Sequence, residues 1–122
     1  MRIAISTEDN AGLDSTVSGH FGHCPYFVIV DLEEGQVTNV ATTPNPYYSG
    51  HQPGQIPAFI HSQNADIMLS GGMGAGAINF FNSYGVAVGT GARGTVRQAL
   101  ESYLDGDLDS QSSCAGDHSC GR

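Results

Sequence analysis

The side chains best suited to chemistry lie in one short loop, residues 18–25, which reads Ser-Gly-His-Phe-Gly-His-Cys-Pro. His20, His23 and Cys24 place two imidazoles and a thiol within five positions. These side chains bind transition metals such as zinc, copper and iron, and the interleaved glycines allow the loop to turn them toward one point. A thiolate is the softer donor, and adjacent side chains on an extended segment point to opposite faces, so Cys24 ranks above His23. Because the spacing is not that of a zinc finger, a surface loop with a buried, inert thiol is the alternative interpretation.

Two glycine-rich turns, residues 71–76 and 89–94, form a second candidate site. Each turn follows an apolar run and precedes a helical pattern, so its backbone N–H groups and the helix dipole favour an anion. The candidate contacts are Gly71, Gly72, Met73, Gly74, Gly91, Arg93 and Gly94. Arg93 adds a guanidinium that stays charged near neutral pH. The alternative is that these glycines only permit tight turns, since neither segment has the Lys-Ser/Thr ending of a P-loop.

The elements that must position these loops alternate along the chain. Short β-branched runs predict strands at 2–6, 26–31, 36–42, 66–70 and 86–88, and apolar periodicity predicts helices at 55–64, 77–84 and 95–104. Thr95 and Gln98 have the spacing of a capping box. The pattern predicts a single α/β domain with a mixed sheet of about five strands, an antiparallel hairpin in the first half and helices on both faces. Ligands of such sheets bind beyond the carboxyl ends of the strands, where the donor loop and both glycine turns should meet.

The composition changes after residue 106, which predicts a folded domain over 1–106 and a flexible acidic tail over 107–122. The tail carries Cys114, His118 and Cys120. A spacing of five residues between two cysteines matches no standard zinc module, so metal binding by the tail stays open.

Charge and hydropathy exclude several classes of protein. The 122 residues carry a formal net charge of −8 with four basic side chains, which argues against nucleic acid as a partner. No apolar run reaches the length of a membrane span, and the first residues do not read as a signal peptide, so a cytoplasmic protein with reduced cysteines is expected.

Five segments together resemble the dinitrogenase iron–molybdenum cofactor biosynthesis family, the NifX/NafY-like domain that includes the orange protein of sulfate reducers. They are residues 1–7, 12–15, 18–22 with 25–27, 69–74 and 94–100. The resemblance runs from about Met1 to Leu108 and implies a three-layer, ribonuclease H-like fold from an anaerobe. It implies storage or delivery of a metal–sulfur cluster, iron–sulfur or molybdenum-containing with copper as a further candidate, in exchange with cofactor-assembly or cluster-acceptor proteins. His20 matches the family's His-Phe-Gly histidine, whereas Cys24 is a candidate on chemical grounds only.

Two other functions compete with a non-enzymatic cluster carrier. A ribonuclease H-like nuclease would need a carboxylate on its first strand, and residues 2–6 contain none. A small regulatory domain that binds a nucleotide or phosphorylated metabolite would use the glycine turns but would give the donor loop no role. The sequence therefore favours cluster binding without catalysis, with the nucleotide-binding domain as the alternative.

Overall fold

The computed structural model describes residues 1–21, 23–48, 50, 54–106 and 108–111. Within these residues lie six strands, three α-helices and one 3-10 turn. In chain order they are β1 (Arg2–Thr7), the 3-10 turn (Gly12–Asp14), β2 (Tyr26–Glu33), β3 (Gln36–Pro44), α1 (Gln55–Ser62), β4 (Ile67–Leu69), α2 (Ala75–Tyr84), β5 (Ala87–Thr90), α3 (Val96–Leu104) and β6 (Asp109–Gln111).

The strands form one mixed sheet in the order β3-β2-β1-β4-β5-β6. β1, β4 and β5 are parallel, whereas β2 and β3 form an antiparallel hairpin beside β1. In the register, Ile5 lies between Val28 and Leu69. The predicted mixed sheet and hairpin are confirmed for β1 to β5, and β3 lies at the edge as its polar residues indicate.

The sheet also has a sixth strand that the sequence did not predict, because β6 pairs antiparallel with β5. Its three residues, Asp109–Gln111, fall in the segment predicted to be a flexible tail. A three-residue polar strand carries no apolar alternation, and strand pairing requires only backbone groups, so the sequence pattern could not reveal it. Cys114, His118 and Cys120 lie outside the described residues.

Both faces of the sheet are covered, which gives the predicted three layers. Neighbouring residues of a strand point to opposite faces, so β1 sends Ile3 and Ile5 toward α3 and Ala4 toward α1 and α2. On the α3 side the helix contributes Val96, Ala99 and Leu100; on the other side the helices contribute Ile56, Ile60 and Phe81. No helix among the described residues is long and apolar enough to cross a bilayer.

The two helices that follow glycine turns begin differently. The predicted capping box of α3 is confirmed, since the Thr95 hydroxyl accepts from the Gln98 N–H and the Gln98 side chain accepts from the Thr95 N–H. α2 begins two residues earlier than predicted, after Gly74, which has no side chain to cap it. It ends at Gly85 in the left-handed conformation (φ 78°), as the sequence indicates.

Candidate functional site

The loops that follow β1, β4 and β5 meet at Gly71, as predicted for the carboxyl ends of the parallel strands. The Gly71 N–H donates to the Ser18 carbonyl at 3.1 Å, and the Gly91 N–H donates to the Gly71 carbonyl at 3.1 Å. A Cβ atom at position 71 would lie 2.7 Å from the Gly19 Cα and 3.0 Å from the Ser18 carbonyl oxygen. Both contacts are with backbone, so only glycine allows the loops to approach this closely.

A cleft of about 490 Å³ opens beside this junction. His20 and His23 lie on one side, and the turn from Gly72 to Gly74 together with the start of α2 lies on another. The remaining wall is apolar and comes from α1 and α2, with Phe21 from the donor loop. The volume is in the range of small-molecule sites, and the mixed lining suits a ligand that is bound by few polar contacts.

The two histidines are both solvent-exposed side chains of the cleft. Backbone bonds to a buried serine hold the first of them: the His20 N–H donates to Ser18 Oγ at 3.1 Å, and Ser18 Oγ donates to the His20 carbonyl at 3.1 Å. Their imidazoles can coordinate a metal or donate to an anion.

Cys24 points to the opposite side, into the core beneath α1 and α2. Its side chain is fully buried, and its Sγ–H donates to the Phe21 carbonyl at 3.3 Å. Burial raises the pKa of this thiol to about 12. The buried Asn45 side chain donates to the Cys24 carbonyl at 2.9 Å and ties this part of the loop to the end of β3. His23 and Cys24 face opposite sides, as predicted for adjacent residues. His23 is the one that faces the cleft, whereas Cys24 had been ranked as the better ligand.

The described residues contain no group of three His, Cys, Asp or Glu side chains placed to hold one metal ion. His20, His23 and Cys24 are therefore neighbours in sequence that the fold does not bring to one point. A ligand in the cleft would meet the two imidazoles, and the thiol would reach it only if the loop left the core.

The two glycine turns differ in their position relative to the cleft. Gly72, Met73 and Gly74 line the cleft, and Gly71 packs at the loop junction behind it. Among the described residues of the lining, none comes from the turn that carries Gly91, Arg93 and Gly94. Arg93 is exposed. Because the capping box already occupies N–H groups at the start of α3, the start of α2 is the better anion site of the two.

The charge of the cleft differs from that of the protein. The chain has 12 acidic residues and a net charge of −8, yet the described lining of the cleft contains no Asp or Glu. The first-turn N–H groups of α2 have no acceptor within their own helix, and the helix dipole places partial positive charge there. The electrostatic environment of this cleft therefore favours an anion.

The sequence and the fold match proteins of one family. The family model described as dinitrogenase iron-molybdenum cofactor matches residues 1–106. The chain belongs to this family. The description of the family refers to the iron–molybdenum cofactor of dinitrogenase.

Two solved structures share the fold, and a further protein is similar in sequence. The crystal structure of PH0822 is 40% identical, superposes with a TM-score of 0.79, and the match covers 93% of this chain and 98% of that one. The apo form of the orange protein from Desulfovibrio gigas is 28% identical with a TM-score of 0.79, covering 89% and 91%. The Methanocaldococcus jannaschii protein MJ0580 is 26% identical over 111 residues, covering 89% and 90%.

The apolar wall is the part of the cleft that sequence reasoning missed. It includes Ile56 and Pro57 from α1 and Ala77 and Phe80 from α2. Phe80 is 38% exposed and follows the helix register away from the buried Phe81. A large aromatic residue on the solvent side of a short helix was the available signal.

Proposed function

We propose that this member of the dinitrogenase cofactor family binds an anionic metal–sulfide cluster in the cleft and holds it for storage or delivery, without catalysing a reaction. The observation that carries the proposal is a cleft in a strongly acidic chain whose described lining has no Asp or Glu, and in which two imidazoles share the cavity with a helix start that no side chain caps. The cluster is the cargo of the protein. It is iron–sulfur or molybdenum-containing, and copper is a further component that soft donors would accept.

Each part of the lining has a chemical role in this proposal. The N–H groups of the turn at Gly72–Gly74 and of the α2 start donate to sulfide, whose negative charge the helix dipole favours. His20 and His23 coordinate metal atoms of the cluster or donate to its sulfides. The Met73 thioether, which also lines the cleft, is a soft donor suited to copper. The apolar wall keeps water from the cluster.

Four of the predicted contacts, Cys24, Gly91, Arg93 and Gly94, remain predictions and have a smaller part in this proposal. Cys24 would have to leave a fully buried position to coordinate the cluster. Gly91 supports the junction at Gly71, because its N–H donates to the Gly71 carbonyl. Arg93 and Gly94 would act on a ligand only from the neighbouring turn. Exchange of the cargo with cofactor-assembly or cluster-acceptor proteins, and the ribonuclease H-like classification of the fold, likewise stay inferences from the family resemblance.

Nucleotide or phosphometabolite binding is the competing proposal. The observation that favours it is the same uncapped start of α2, because phosphate groups bind helix N-termini as readily as other anions do. It leaves the paired histidines without a defined role. A binding experiment that includes ATP as well as the metal–sulfide probe distinguishes the two functions.

The test is an anaerobic titration of the full chain with tetrathiomolybdate, with and without copper(I), followed by desalting and a visible spectrum. We expect a coloured protein, and about tenfold or greater weakening in each of His20→Ala and His23→Ala, since a hydrogen bond to a charged group contributes about 1.5–3 kcal/mol. His61→Ala is the matched control, because His61 is an exposed histidine that stacks on Tyr84 at 4.6 Å outside the cleft.

Two results contradict the proposal. A protein that stays colourless with either metal mixture but binds ATP saturably by calorimetry has the competing function. Equal retention of cargo by the three histidine variants, each folded by circular dichroism, removes the cleft as the site.

A further inference from the structure

Two buried serines lie directly beneath the glycine turn of the cleft. Ser6 is in β1 and Ser70 follows β4, one step beyond the register pair Ile5 and Leu69. Both side chains are fully buried. Ser6 Oγ–H donates to Ser70 Oγ at 3.0 Å, and Ser70 Oγ–H donates to the Gly72 carbonyl at 3.1 Å. A serine hydroxyl has one proton. Ser70 accepts a hydrogen bond from Ser6, and its own proton is donated to the Gly72 carbonyl.

The last bond of this chain fixes the orientation of one peptide group. The described peptide bonds are trans, so the carbonyl of Gly72 and the N–H of Met73 point in opposite directions. A Gly72 carbonyl held toward the buried Ser70 directs the Met73 N–H away from the core. Gly72, Met73 and Gly74 line the cleft, and an N–H of this turn that points away from the core would lie on the cleft side.

The donor loop has the same arrangement. Ser18 is also fully buried, and its hydroxyl donates to the carbonyl two residues later, at His20. Both loops that form the cleft thus turn a carbonyl oxygen inward onto a buried hydroxyl. Carbonyl oxygens attract cations, so engaging these two carbonyls removes two of the backbone groups that would favour a free metal ion over an anion.

We propose that Ser70, supported by Ser6, is a positioning residue that gives the cleft its preference for an anionic cargo. It acts through the Gly72–Met73 peptide and does not touch the cargo itself. Without the Ser70 hydroxyl, the partly buried Gly72 carbonyl loses its partner and would turn toward the cleft to reach water, because an unpaired carbonyl shielded from solvent is costly. The Met73 donor is then lost. This inference rests on the proposed function of the cleft.

The test is Ser70→Ala in the full chain with tetrathiomolybdate as the probe, followed by visible absorbance and by amide and imidazole NMR. A hydrogen bond of this kind is worth about a threefold to tenfold change in affinity, and we expect Ser70→Ala to weaken the probe by that factor. In the wild-type protein the Met73 amide proton should move downfield as the dianion binds. In Ser70→Ala that shift should be lost while the His20 and His23 ring signals still respond, which a general loosening of the loop would not produce.

Ser83→Ala is the matched control, since the Ser83 hydroxyl also donates to a carbonyl but lies exposed on α2. Ser70→Thr retains the hydroxyl and should restore both affinity and the amide shift. If Ser70→Ala does not fold, Ser6→Ala replaces it and should give a smaller loss of the same two signals. Unchanged affinity and an unchanged Met73 shift in the folded variant overturn the inference alone, whereas failure of the wild-type protein to bind the probe overturns the proposed function together with it.

Discussion

We expect iodoacetamide to alkylate Cys24 at least about fiftyfold more slowly in the folded protein than in the unfolded chain. Burial raises the pKa of the thiol from 9.0 to about 12. At pH 8 the thiolate fraction then falls from about one-tenth to about one ten-thousandth, a thousandfold decrease. The higher intrinsic nucleophilicity of a more basic thiolate recovers about twentyfold, which leaves about fiftyfold. Because the side chain is fully buried, restricted access adds to this factor.

The measurement uses Cys114→Ser/Cys120→Ser, in which Cys24 is the remaining thiol of the three in the chain. Alkylation is followed by mass spectrometry at pH 8, without denaturant and in urea. Cys24→Ala should retain tetrathiomolybdate, because the thiol faces away from the cleft. Native alkylation within tenfold of the rate in urea would refute the burial argument. Loss of cargo from a folded Cys24→Ala protein would show that the loop rearranges to use the sulfur.

Three further outcomes concern stability, each measured by chemical denaturation. Gly71→Ala should destabilise the fold by about 1–3 kcal/mol because its Cβ would lie 2.7 Å from the Gly19 Cα, whereas Gly76→Ala, with open space at its Cβ inside α2, should stabilise it by up to about 1 kcal/mol. Thr95→Ala should cost about 1 kcal/mol through loss of the α3 cap, and an unchanged midpoint would contradict the capping role. The raised pKa of Cys24 favours the neutral thiol in the folded state. The contribution of the buried thiol to folding stability is therefore complete below about pH 9 and is lost as pH rises toward 12. Over that range, the free energy of unfolding should fall by up to about 1.4 kcal/mol per pH unit more steeply in the wild type than in Cys24→Ala.

The sequence predicted most of the fold because local pattern and global arrangement agree. β1 is short, β-branched and apolar, as a strand buried on both faces must be, and alternating strands and helices leave few topologies. The sequence predicted the end of a helix accurately where a capping side chain marks it, as at Thr95. The prediction was less accurate where the cap is a glycine, as at the start of α2. β6 was missed because its pairing depends on backbone groups rather than on side-chain pattern.

The candidate site was predicted in outline but not in its details. Spacing identified the donor loop and the turn at Gly72–Gly74, which do line one cleft. Spacing could not show whether His23 or Cys24 faces outward. Alternation along an extended segment places adjacent side chains on opposite faces but does not say which of the two faces the solvent. For Arg93 the necessary information was present: the capping box at Thr95 and Gln98 already indicated that the following helix start was occupied.

The position of β6 decides which strand forms one border of the sheet. β5 is one of the parallel strands, and without β6 its outer row of N–H and C=O groups would form an open border of the sheet. Open borders recruit strands from other molecules. A chain cut at residue 106, where the family match ends, would expose that border and should self-associate, even though every residue of the cleft is still present. With β6 in place, the border on this side is a strand of three residues instead of the four residues of β5, and short edge strands recruit partners less readily.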